Sequence, residues 1–158
     1  MKIDWARASK FSRPEQSAGF LLWQVAHSWQ RKAGEALSGA GLTYMQFVLL
    51  ARLGWLARDR EDITQVQLAE FCKIDPMMVS QVIRLMEKKN LVARREHPAD
   101  TRAKCLSITK RGAQVLKKAL PIVEGAADAF FAPASSGLTS ALRLVHAAHT
   151  LTGSGALP

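Results

Sequence analysis

The chain has 158 residues, 48% of them apolar, which is the length of one domain with enough apolar material to bury a core. No apolar run reaches membrane-spanning length, and the start MKIDWARASK lacks the apolar stretch of a signal peptide, so a cytoplasmic protein with no membrane partner is expected. The net charge of +9 is concentrated: between Arg84 and Lys118 there are 11 basic and 3 acidic residues, net +8, as expected for a protein that meets a polyanion.

Residues 1–13 read as an arm with Trp5 and Phe11 as anchors. A helix pattern over 14–37 carries Phe20, Leu21, Trp23, Val25, His27 and Trp29, with apolar groups on more than one face. Such a helix is expected to be buried against a second chain as well as its own core. SGAGL breaks it, and Thr43 caps YMQFVLLARLGWLARDR, whose apolar content marks the central core helix. After the polar DREDI, Ile63 is expected to add a short strand beside a later hairpin. Thr64 then caps a helix, with Gln67 in a capping-box arrangement and Leu68 and Phe71 as its apolar side. A CKI turn leads to Asp75, a cap, and Pro76, which suits a first helical position because its missing N–H would be unpaired there. Val79, Val82, Ile83 and Met86 form a buried stripe and leave Met77, Met78, Ser80, Gln81 and Arg84 on the start and outer face. Asn90 stands where a left-handed residue is wanted. Two short helices on a tight turn read as a helix-turn-helix, whose second helix can enter a DNA major groove.

LVARRE reads as a strand, HPADTR as a turn and AKCLSI as a second strand, so a hairpin wing follows the helix pair. Thr109 caps a helix running to about Phe131. Pro121 inside it is expected to cost about 3 kcal/mol and to kink it, with Gly125 as a further weakness, before Pro133 ends it. A last helix spans roughly 136–151 with Leu138, Leu142, Val145 and Leu151 as its stripe, and LTGSGALP reads as a frayed tail.

Gln67-Leu68-Ala69, Asp75-Pro76, Leu91-Val92 with Arg94-Arg95, Asp100-x-Arg102 and Leu106-x-Ile108-Thr109-x-x-Gly112 stand in one order and spacing, preceded by Leu42-Thr43-x-x-Gln46-Phe47. These blocks resemble the winged helix of the MarR family of bacterial transcriptional regulators. The resemblance implies a mainly α fold with a small β wing, a winged helix-turn-helix whose N- and C-terminal helices form a dimerisation layer. On that reading 1–158 is a single domain, 14–38 and 110–152 supply the dimerisation helices, and 43–112 binds DNA. A homodimer would present two recognition helices to a palindromic operator on double-stranded DNA, with half-sites about one helical turn, roughly 34 Å, apart. The function implied is repression, relieved by a small aromatic ligand.

Ser80, Gln81 and Arg84 are the residue types that hydrogen-bond base edges, and Met77 and Met78 suit thymine methyl groups. The family often has an arginine where Gln81 stands. Arg102 resembles the family's minor-groove arginine, with Asp100 as its support, and Arg94, Arg95 and Lys104 are expected on phosphates. Against these stands the plainer reading of a solvated basic face. Trp23, His27, Trp29, Tyr44 and Phe47 form a candidate set for a flat aromatic or phenolic effector, against an ordinary aromatic core. His146 and His149 are three apart, but no Cys, Asp or Glu stands nearby in sequence, so no metal is expected. Cys72 and Cys105 read as core residues; a redox-sensing regulator of the same fold would need a cysteine near the first helix. There is no P-loop, GxSxG, HExxH or CxxC, so neither an enzyme nor a cofactor is expected. The remaining rival is an architectural DNA-coating protein without an effector.

Overall fold

The computed structural model describes residues 2–60, 62–97, 104–134 and 137–151. The expected wing tip, including Asp100 and Arg102, and the tail from 152 lie outside the described residues.

The N-terminal arm contains one exposed helical turn, α1 (Trp5–Ala8). Pro14 opens a short 3-10 turn rather than the long helix. Helix α2 (Ala18–Leu37) starts four residues later, where the Ser17 hydroxyl accepts the Phe20 N–H. Only Ala33 and Leu37 of α2 are buried, and Leu21, Leu22, Trp23 and Val25 are exposed. The chain turns at Gly41, whose φ of 68° lies in the left-handed region that glycine adopts without penalty. Thr43 and Gln46 cap α3 (Tyr44–Leu56) reciprocally, so two backbone N–H groups that the helix cannot satisfy find side-chain partners. Helix α3 is the centre of the core: Phe47, Leu49, Leu50 and Leu53 are buried, and it touches α2, α4, α5, β2 and α6. It ends at Leu56, before the arginine-rich stretch expected to continue it.

Helix α4 (Gln65–Cys72) has the expected Thr64–Gln67 capping box and ends at Lys73, left-handed at φ 53°. Its buried residues are Leu68 and Ala69. Phe71, expected on the apolar side, is instead 40% exposed, with the Arg52 and Arg60 guanidiniums over its ring at 5.6 and 6.0 Å. Asp75 accepts from the Met77 and Met78 N–H groups at 2.9 and 3.1 Å, and Pro76 opens α5 (Pro76–Lys88). Val79, Ile83 and Met86 are buried and Val82 is half-buried, which fixes the rotation of α5 about its axis.

Asn90, left-handed at φ 55°, turns the chain into the hairpin. Strands β1 (Val92–Glu96) and β2 (Lys104–Ile108) pair antiparallel in the register Val92↔Ile108 to Glu96↔Lys104. The third strand expected at Ile63 is reduced to one bridge, Thr64↔Cys105, with the Leu106 N–H donating to the Ile63 carbonyl at 2.8 Å. It stops there because Thr64 is already the cap of α4. Thr109 caps α6 (Lys110–Phe131), which runs through Pro121 unbroken. At Gly112 an added Cβ would stand 1.9 Å from the Leu91 carbonyl oxygen, so the close approach of α6 to the hairpin root admits only glycine. A 3-10 turn, Ala132–Ala134, precedes α7 (Gly137–Leu151). From Gly137 to His149 every residue of α7 except Leu138 is exposed. No single helix among the described residues is long and apolar enough to cross a membrane.

Candidate nucleic-acid interface

The side that α5 leaves open is the candidate reading face. Met77 is 73% exposed and Met78 47%, Gln81 and Arg84 are exposed, and Ser80 is half-buried beside them. Positions 77, 81 and 84 are four and three apart, so they share one helix face. The opposite face is locked into the core, which leaves this one no freedom to rotate inward. Asp75 stays exposed, but its carboxylate accepts from the first N–H groups of the helix, where the positive end of the helix dipole partly offsets its charge.

The basic residues around it differ in what they hold. Arg94 on β1 donates Nε–H to Glu87 Oε2 at 2.9 Å, and its Nη2 pairs with the same oxygen. This half-buried pair fastens the wing to the recognition helix, so part of the Arg94 charge expected on phosphate is spent inside the protein. Lys104 pairs with Glu96 across the hairpin at 2.9 Å, but both side chains are well exposed, and such a pair is weak enough to exchange for a phosphate. Arg95 is exposed on β1. Glu87 is a contributor that sequence reasoning misses: a carboxylate seven residues from its arginine, on another element, leaves no local pattern.

The five aromatic candidates do not surround one cavity. Trp23 and His27 stack at 5.1 Å on one side of α2 and, with Arg31 and Phe130, line an open cavity of about 540 Å³. Trp29 faces elsewhere: its Nε1–H donates to the Tyr44 hydroxyl at 2.9 Å, and its ring packs on Phe130 and Phe131. Phe47 is part of the buried core. Helical geometry is the reason: position 27 is four residues from 23 and shares its face, whereas position 29 is six residues on, roughly 240° round the axis. Arg31, a further four residues along the Trp23 face, lines the same cavity as His27 and adds an arginine beside it.

Cys72 is half-buried, and burial pushes its thiol above the usual range while the Arg52 guanidinium pulls it partly back. It is therefore a thiol rather than a thiolate at neutral pH, the wrong state for a peroxide sensor. Cys105 is buried. Among the described residues no three His, Cys, Asp or Glu side chains come together as a metal site, His146 and His149 included.

Comparison with known proteins places this geometry. Residues 42–104 match the MarR family model. The uncharacterized HTH-type transcriptional regulator YdcH of Bacillus subtilis (strain 168) is 48% identical over 126 residues, 80% of this chain and 86% of that protein. An HTH-type transcriptional repressor of Mycobacterium tuberculosis (strain ATCC 25618 / H37Rv) is 31% identical over 70% of this chain and 76% of its own length. Among solved structures, a mutant MarR from E. coli complexed with operator DNA superposes with TM-score 0.72 at 21% identity, over 80% of this chain and 89% of that one. CouR from Rhodococcus jostii RHA1, bound to p-coumaroyl-CoA, superposes with TM-score 0.75 at 19% identity, over 94% of this chain and all of its own. The capped recognition helix, the hairpin fastened beside it and the near-full-length relative agree: the chain belongs to the MarR family of winged helix-turn-helix transcriptional regulators.

Proposed function

We propose that this DNA-binding regulator is a homodimeric repressor, which occupies a palindromic operator and leaves it when a small aromatic or phenolic ligand binds. The observation that carries the reading is the open face of α5, where Met77, Met78, Gln81 and Arg84 are exposed on a helix whose other side is locked in the core. Gln81 and Arg84 supply hydrogen bonds to base edges, Ser80 a hydroxyl, and the methionines apolar contact with thymine methyl groups. Arg95, Lys104 and the remaining donors of Arg94 position the protein on phosphates, and Arg102, supported by Asp100, enters the minor groove. The E. coli relative's complex with operator DNA and the mycobacterial relative's name as a repressor support operator occupation. The protein acts in the cytoplasm, where its DNA is, and needs no cofactor.

Residues 1–158 act as one domain, with 43–112 reading DNA and helices within 14–38 and 110–152 forming the dimer layer. Leu21, Leu22 and Val25 of α2 and Leu142, Leu144 and Val145 of α7 are all exposed within one chain, an apolar surface that a second copy would cover. The ligand belongs at the Trp23–His27 stack, where the ring would lie on Trp23 and a carboxylate would meet Arg31. CouR's complex with an aromatic acyl ligand supports a site for such a ring in this fold. Relief requires the ligand to prefer the DNA-incompetent state by about 1.4 kcal/mol for each tenfold loss of DNA affinity.

Selection from a random duplex pool at near-physiological salt, followed by footprinting, tests the reading. A protected palindrome is expected. Uniform coating of every duplex would make the protein architectural instead.

A further inference from the structure

The far end of the recognition helix is held by a side chain that the charge pattern alone would assign to the DNA. Lys89 follows the last turn of α5, five residues beyond Arg84 and so roughly 140° round the helix from it. Its Nζ donates to the Gly41 carbonyl at 2.9 Å and to Gln46 Oε1 at 3.0 Å. Both acceptors belong to the corner between α2 and α3, 48 and 43 residues earlier in the chain. Gln46 is only 3% exposed, and the same oxygen accepts the Thr43 N–H at 3.2 Å as half of the α3 cap. The lysine stem starts from fixed backbone: its own N–H donates to the Leu85 carbonyl at 3.1 Å, and the Leu91 N–H closes the helix end on Met86 at 2.9 Å. Lys89 is itself exposed, yet its ammonium makes two charge-assisted bonds to neutral acceptors at once, and the Gln46 acceptor is buried, which strengthens that bond relative to one made in water.

We propose that Lys89 is a positioning residue, which ties the C-terminal end of the recognition helix to the α2–α3 corner and so sets where the reading face sits relative to α2. In the dimer this tie fixes the separation of the two reading faces. Lys89 does not contact phosphate, although it lies inside the basic cluster. The inference rests on the dimeric, operator-reading function above. It adds the mechanical link between the helix that carries the ligand cavity and the helix that reads DNA.

The test uses the full-length protein, its best duplex from the random pool, and versions of that duplex with one base pair added or removed between the half-sites. Lys89→Met keeps most of the stem and removes all three donors; Lys89→Arg restores donors. Lys89→Met is expected to bind the best duplex about tenfold more weakly and to lose most of its discrimination between spacings, with the salt slope unchanged. Lys89→Arg should recover much of the spacing discrimination. A salt slope lower by about one unit per subunit, with spacing discrimination intact, would make Lys89 a phosphate contact and overturn the proposal. A lowered melting temperature with intact discrimination would make it merely structural and also overturn it. If Lys89→Met does not fold, Gln46→Met removes the buried acceptor instead and must relax spacing in the same way. A parent that selects no duplex defeats the operator reading and this inference together. A selective parent whose Lys89→Met variant still discriminates spacing defeats this inference alone.

Discussion

Replacing Gly112 by alanine adds one methyl group where the fold has no room for it. The new Cβ would lie 1.9 Å from the Leu91 carbonyl oxygen, 2.9 Å from its carbon and 3.0 Å from Ile108 Cγ2. The first two are backbone atoms, so no rotamer change relieves the contact, and α6 must move away from the hairpin root by an ångström or more. That movement strains two bonds that join them, Thr109 N–H to the Leu91 carbonyl at 3.2 Å and Thr109 Oγ1–H to the Asn90 carbonyl at 2.6 Å. Overpacking of this kind costs about 1–3 kcal/mol, and a lost hydrogen bond adds about 1 kcal/mol. A total of about 3 kcal/mol corresponds to a fall of roughly 6–12 °C in melting temperature for a chain of this size. Gly125 in the same helix is the control: a Cβ there meets nothing within 4 Å, so Gly125→Ala should stabilise by about 0.5–1 kcal/mol. Thermal unfolding followed by circular dichroism compares the two. If Gly112→Ala melts within 1–2 °C of the parent, the close approach of hairpin and helix is not what holds the wing in place.

Sedimentation at micromolar concentration should give about twice 17.4 kDa, and Val145→Lys, which places a charge on the exposed side of α7, should shift the population to monomer without unfolding it. A dimer indifferent to that charge would move the interface away from α7. Arg102→Ala should lower the salt slope of DNA binding by about one unit per subunit, and an unchanged slope would remove Arg102 from the DNA contacts. Because the Cys72 thiol is raised by burial, the thiolate is scarce below the usual thiol pKa and grows only as pH rises past it. Alkylation of Cys72 in a Cys105→Ala background should therefore be slower at pH 7.5 than that of a free thiol and should accelerate strongly in alkali; rapid modification at neutral pH would revive the redox-sensing reading.

What the sequence made legible was local. The caps at Thr43, Thr64, Asp75 and Thr109 each bond an N–H two or three residues away, so residue type and spacing suffice to find them. Asn90 and the stripe on α5 are legible for the same reason. What was not legible depends on which faces meet. Phe71 looked like core because its spacing from Leu68 is helical, but the face it occupies is covered by arginines rather than by another element. Trp23 and Trp29 looked like one aromatic set, yet six residues of helix turn them to different surroundings. Arg94 read as charge offered to DNA, whereas Glu87 holds it, and Lys89, one cation among the basic cluster, showed nothing of its bonds to Gln46 and Gly41; those partners are adjacent only after folding.

The central claim is that the open face of α5 reads sequence. Repeating the random-pool selection with Gln81→Ala beside the parent tests it most directly. The selected palindrome should change at one position in each half-site and keep its spacing and its other positions, with a loss of about 1–3 kcal/mol on the parent's best duplex and little on poor ones. If the variant and the parent select the same sequence with the same affinity, Gln81 does not face the bases and the proposed orientation of the recognition helix is wrong.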